Sequence, residues 1–205
     1  MNLCIIDLEA TCDENNRAFD METIEIGAVI KTPTETYYFQ SFVKPYINPV
    51  LTDFCKNLTS ITQEQVDRAA SFPLVLSKFV NTLEILLGKN WRDHTLLCSW
   101  GAYDKKQLVK DCERCRATFP FNGWHLNIKQ EFLHKYPKAK GGCLGHAAEY
   151  LGIPWEGTAH RGIDDAKMIV KILEAMQSDG YQLPAVIVKS LEESDEPLHP
   201  THPTN

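Results

Sequence analysis

From Leu3 to Ile6 the chain is unbroken apolar, Leu-Cys-Ile-Ile, and the run ends in acids at Asp7 and Glu9, the pattern of a buried strand over residues 3–9. Ile24, Ile26, Ala28 and Ile30 alternate as a second strand, and Thr36–Val43 reads as a third. Short, turn-rich links between them predict an antiparallel meander. Thr62, with Gln65 three residues on, has the form of a capping box that opens a helix. Phe72–Leu87 reads as another helix, ended by Gly88. Thr95–Trp100 reads as a further strand, with a helix from about Asp104. Later helices are predicted near Ile128–Tyr136, Leu144–Leu151 and Asp165–Gln177. Strands first and strand–helix alternation afterwards give an α/β domain with a mixed β-sheet flanked by helices.

This pattern fills residues 1–183 as one domain, with no internal repeat. Residues 184–205 read as a C-terminal extension, and Pro197, Pro200 and Pro203 mark its end as a disordered tail. A chain of 205 residues with 43% hydrophobic composition is long enough to bury its own core. No apolar run reaches the roughly 18 residues of a membrane span. The start, Met1-Asn2-Leu3-Cys4, has no basic region or cleavage site, so no cleaved signal peptide is expected. Seven cysteines, an odd number at irregular spacing, fit reduced thiols in a cytoplasm.

The net charge of −6 runs against a nucleic-acid ligand, but its distribution weakens that objection. Glu192, Glu193, Asp195 and Glu196 lie in a stretch from Ser190 onward without Lys or Arg, and without them the charge is −2. Carboxylates that hold divalent cations would not repel phosphate at the working face. Charge therefore neither establishes nor excludes such a substrate.

Asp7 and Glu9 stand at i and i+2, so strand alternation sends both carboxylates to one face. Two like charges there are unfavourable unless something positive lies between them, although the same spacing fits a strand that has run out into water. Asp104 follows an apolar strand and a Gly101-Ala102-Tyr103 link. It fits a helix N-cap as well as a third carboxylate at the sheet edge. In His160-Arg161-Gly162-Ile163-Asp164-Asp165, Asp165 heads the stripe Ile169, Ile172, Met176 and is aimed inward. Asp164 shares its side with Met168 and Lys171 and is expected to face outward. An inward acid needs a partner, and a metal would serve. His160 sits on the loop just before.

The ordered set Asp7-x-Glu9, Asp104 and His160-x4-Asp165 resembles the exonuclease motifs of the DEDD superfamily, in its histidine-containing DEDDh branch. The segments "CIIDLEATC", "LTDFCKNLTSITQEQVDRAASFP", "SWGAYDKKQL" and "HRGIDDAKMI" are similar to the ERI-type 3′-exonucleases, over residues 3–178. Two departures stand out: Thr59-Ser60-Ile61 where the family often has Thr-Gly-Ile, and Met168 where it often has Asn.

The resemblance implies a ribonuclease H-like fold and two Mg²⁺ or Mn²⁺ ions, which prefer oxygen ligands. It implies Asp7 as a bridging ligand, with Glu9, Asp104 and Asp165 completing the shells, and ions about 3.5–4 Å apart. His160 would take a proton from the attacking water. The implied reaction is 3′→5′ hydrolysis of an RNA or single-stranded 3′ end to nucleoside 5′-monophosphates. Phe54, Trp100 and Tyr103 are candidates to stack the terminal base, a contact of about 1–3 kcal/mol, but aromatics beside a sheet also serve as core. Ser60 and Ile61 fall in the loop expected near the terminal nucleotide. Lys105, Lys106 and Lys110 fit either backbone phosphates or a solvated helix face.

Cys112-x2-Cys115 and Cys143-x2-His146 have zinc-like spacing, yet Cys112 and Cys115 fall at i+4 and i+7 from Leu108, on an apolar face, which favours core. No cysteine has the context of a nucleophile. Three functions remain: an exoribonuclease, a DNA exonuclease, and a silent binding or regulatory protein on the same fold. The third predicts a lost ligand, and all five expected residues are present.

Overall fold

The alternating segments pair as one five-stranded sheet in the computed structural model, which describes residues 1–16, 18–139 and 141–185. Strands β1 (Asn2–Ala10), β2 (Thr23–Lys31) and β3 (Thr36–Phe42) form the expected antiparallel meander. On the other side of β1 lie β4 (Thr95–Ser99) and β5 (His125–Asn127), both parallel to it, giving the order β3-β2-β1-β4-β5. The carboxyl ends of β1 and β4 therefore meet at one end of the sheet.

Helices cover both faces. Cys4, Ile6 and Leu8 of β1 pack with Val75, Phe79 and Leu83 of α3 (Phe72–Leu87) and with Leu108 of α4 (Tyr103–Arg114). Leu3 and Ile5, pointing the other way, pack with α5 (Ile128–Lys135), α6 (Leu144–Tyr150) and α7 (Gly162–Ser178). Burial on both sides explains why β1 is so uniformly apolar. Among the described residues no helix is long and apolar enough to cross a membrane. The extension proposed from residue 184 lies almost wholly outside the described residues.

Two short helices, α1 (Asp53–Thr59) and α2 (Gln63–Asp67), form a bracket beside the end of β1. The Thr62–Gln65 capping box is formed in full. Helix α1 is not among the elements predicted from the sequence. Ser60, which ends it, has φ 58°, in the left-handed region that a side chain disfavours. This gives the Thr-Gly-Ile pattern a backbone cause. Ser60→Gly is expected to raise stability by about 0.5–1 kcal/mol, read as a higher urea midpoint at constant slope.

One expectation is corrected, and one of two open alternatives is decided. Met168 was assigned to the outward side of its helix but is fully buried, because α7 packs against both the sheet and α6. Asp104 is not an N-cap: Ala102 holds that place and Asp104 lies inside the first turn of α4.

Candidate active site at the carboxyl ends of β1 and β4

The site begins with a backbone contact. Gly27 on β2 lies opposite Asp7 on β1, and the start of α7 rests on both. A methyl group on Gly27 would sit 2.0 Å from the carbonyl carbon of Gly162, and one on Gly162 would sit 2.7 Å from Asp7 O. Only two glycines let the helix approach this closely. The approach sets Asp165, one turn into α7, against the acidic end of β1.

Glu9 and Asp165 are each 8% exposed, Asp104 is 4% exposed, and Asp7 is half-buried. Asp104 Oδ1 accepts the Leu8 N–H at 2.9 Å, which ties the start of α4 to β1 between Asp7 and Glu9. Asp165 Oδ2 accepts the His160 N–H at 3.2 Å. Its other oxygen, Oδ1, is buried and has no hydrogen-bond partner among the described residues. Glu9, His160 and Asp165 each offer a ligand atom, all within 4.8 Å of one another, and His160 is exposed. Asp7 and Asp104 stand outside that group of three but belong to the same electrostatic cluster.

Burial is the main force on these acids, and neighbouring carboxylates add to it. It pushes Asp7 well above the usual carboxylate range, with Asp104, Asp165, Glu9 and Glu25 pushing the same way. Glu9 is pushed up to about 8, first by burial and then by Asp165 and Glu25. Asp165 rises to about 7, burial being partly offset by the His160 N–H. Asp104 rises only to about 6, because hydrogen bonds from Leu8 and Ser99 oppose burial.

Carboxylates that resist ionisation, a bare buried oxygen and an adjacent imidazole are a donor set that fits a hard divalent cation. The metal-free protein should then show a definite pH dependence. With folded-state pKa values of about 6 to 8 for Asp104, Asp165 and Glu9, against roughly 4 in the unfolded chain, the native state holds more protons in between. Stability is therefore expected to fall as pH rises from about 4 to about 8 in EDTA, and saturating Mg²⁺ should flatten the slope; melts across that range check it.

The other candidate residues are more scattered. Phe54 is half-buried on α1, and Tyr103 is 42% exposed with its hydroxyl on Met21 Sδ. Trp100 is half-buried, donates Nε1–H to Gly142 O at 2.9 Å and packs tilted against Phe132, with ring centroids 5.8 Å apart. Ser60 is exposed, whereas the Ile61 side chain is fully buried, so only its backbone can meet a ligand. Lys105 is spent on Gly123 O and Lys110 on Asp20, while Lys106 is exposed. No cysteine joins the metal-capable group among the described residues; Cys112 is buried, Cys143 is exposed, and all seven cysteines are free thiols.

One residue at the site escaped sequence reasoning. Glu25, wholly buried, lies directly across the sheet from Glu9. It accepts Gln40 Nε2–H at 2.6 Å, Arg161 Nε–H at 3.1 Å and the Gly162 N–H at 3.2 Å. An acid alternating with Ile24 and Ile26 reads as solvent-facing; its only sequence signal was that Gly27 and Val29 share its face.

Comparison with known proteins matches residues 4–173 to the Exonuclease family. Human 3'-5' exoribonuclease 1 is 38% identical over 191 residues, covering 88% of this chain and 54% of that protein, so the chain spans about half the relative's length. The probable 3'-5' exonuclease KapD of Bacillus subtilis is 31% identical over 186 residues, covering 89% of this chain and 87% of that protein. Among solved structures, the nuclease domain of 3'hExo, a DEDDh family member bound to rAMP, superimposes with TM-score 0.79 at 36% identity, covering 89% of this chain and 94% of that one. The shared fold is the ribonuclease H-like exonuclease fold. The chain belongs to the Exonuclease family, in its DEDDh, ERI-type branch.

Proposed function

We propose that this protein is a metal-dependent 3′→5′ exonuclease that releases nucleoside 5′-monophosphates from RNA 3′ ends. The observation that carries the reading is the bare, buried Asp165 Oδ1 within a cluster of reluctant carboxylates beside an exposed histidine. Asp7, Glu9, Asp104 and Asp165 would hold Mg²⁺ or Mn²⁺, two ions in all, as carboxylate oxygens suit hard cations. Bound there, the ions would supply positive charge against the phosphate and its developing negative charge. His160 would accept the proton of the attacking water; its exposed side chain leaves it free to do so, while its N–H stays fixed to Asp165.

Phe54, Trp100 and Tyr103 would stack the terminal base, and Ser60 with the Ile61 backbone would border the terminal sugar. The names of the relatives favour RNA over DNA. Seven free thiols fit a reducing compartment, so a cytoplasmic location is part of the proposal. Matched RNA and DNA oligonucleotides of one sequence test the substrate class, with the released nucleotide identified by mass. Faster release of 5′-monophosphates from RNA is expected. A DNA rate equal to or above the RNA rate, or 3′-monophosphate products, would overturn this assignment.

A further inference from the structure

His160 stands in a backbone conformation that its side chain disfavours, φ 59°. Such a residue stays put only when its surroundings fix it. Among the described residues its own tether is one hydrogen bond, the 3.2 Å contact from its N–H to Asp165 Oδ2. The next two residues are tied more firmly. Arg161 sends Nε–H to Glu25 Oε2 at 3.1 Å and Nη2–H to Glu25 Oε1 at 3.3 Å, a two-pronged grip on a carboxylate with no exposure. Gly162 N–H joins the same Oε2 at 3.2 Å. The Arg161 carbonyl accepts the Asp164 and Asp165 N–H groups, starting α7, and its guanidinium lies 5.2 Å over the Phe42 ring. Gln40 Nε2–H also donates to Glu25 Oε1, at 2.6 Å.

We infer that Arg161 is a positioning residue for His160, anchoring the loop through the buried Glu25 carboxylate. The inference rests on His160 acting as the proton acceptor. The grip also has an electrostatic side: Glu25 lies opposite Glu9 in the strand pair and adds to the repulsion there, and Arg161, paired with Glu25, supplies a cation that offsets part of it. Glu25 binds the loop and the cation together, which a neutral residue there would not do. The planar fork matters as well as the charge, since lysine offers a single point charge and cannot bridge both oxygens.

The test is a double-mutant cycle on turnover of a 3′-labelled RNA oligonucleotide in Mn²⁺, with Arg161→Gln, His160→Ala and the double variant. Arg161→Gln is expected to lower kcat by roughly tenfold or more with KM within about twofold, as a misplaced catalytic group does. Arg161→Lys should recover only part of the loss. In the His160→Ala background, Arg161→Gln should cost less than about twofold more, because its effect runs through a side chain already removed. An equal loss in both backgrounds would overturn the inference and make Arg161 a support of the fold or the acidic cluster. Unchanged kcat in Arg161→Gln would overturn it as well. Full activity in His160→Ala is a different failure, of the proposed role of His160 itself. If Arg161→Gln melts below the assay temperature, Glu25→Gln, which keeps the shape and weakens the grip, takes its place in the cycle.

Discussion

Asp7→Asn is expected to abolish nucleotide release and, in the same protein, to raise the melting temperature measured in EDTA. The two effects share one cause. In the folded chain the Asp7 carboxyl is pushed well above its usual range by burial and then by Asp104, Asp165, Glu9 and Glu25. Without a cation, folding must bring these acids together against their repulsion or protonate them. An amide of the same shape removes one acid from the cluster, a gain of about 1 kcal/mol or more, which for a chain of this size is roughly 2–4 °C. The same amide is a poor ligand for a hard cation, so the stabilisation by Mg²⁺ seen in the unsubstituted protein should shrink in Asp7→Asn. Thermal melts with and without Mg²⁺ check this; a variant destabilised in EDTA would mean that the cluster is not under repulsive load.

The second large effect is structural. Gly27→Ala is expected to cost more than about 3 kcal/mol, well above the usual range for an added methyl, because the methyl meets backbone and not a movable side chain. The atoms in its way are Gly162 C at 2.0 Å and Ile163 N at 2.1 Å. Relief requires the start of α7 to lift from β1 and β2, and that start carries Asp165 and the His160 loop. Urea unfolding should show a lower midpoint, and protein that still folds should have lost activity beyond what its stability explains. Wild-type stability in Gly27→Ala would mean that α7 can sit further from the sheet than the structure places it.

Much of this site was legible in the chain because two simple periods point at it. The alternation of β1 sets Asp7 and Glu9 on one face, and the stripe Asp165, Ile169, Ile172, Met176 selects Asp165 over Asp164. All four of those positions are buried, whereas Asp164 is partly exposed, accepting the Thr158 N–H and pairing with Lys167. The same reasoning failed at Met168, because a helix wedged between a sheet and another helix buries more than one stripe. It failed at Glu25 because the alternation of Ile24 and Ile26 marks one buried face and is silent on whether α7 covers the other. The three residues of β5 are too short to carry a period. The left-handed backbone at His160 and Ser60 is held by residues other than glycine, so residue type in this chain does not announce it.

The most direct test of the central claim, that the acidic cluster is the working site of a metal-dependent 3′ exonuclease, is a time course on one RNA oligonucleotide labelled at either end, run in Mn²⁺ and in EDTA with Asp7→Asn beside the unsubstituted protein. The predicted result is early mononucleotide release from the 3′-labelled strand only, a ladder shortening from the 3′ end on the 5′-labelled strand, and no reaction in EDTA or with Asp7→Asn. Cleavage that persists in EDTA or in Asp7→Asn, or intact strands throughout in Mn²⁺ and Mg²⁺, would contradict it.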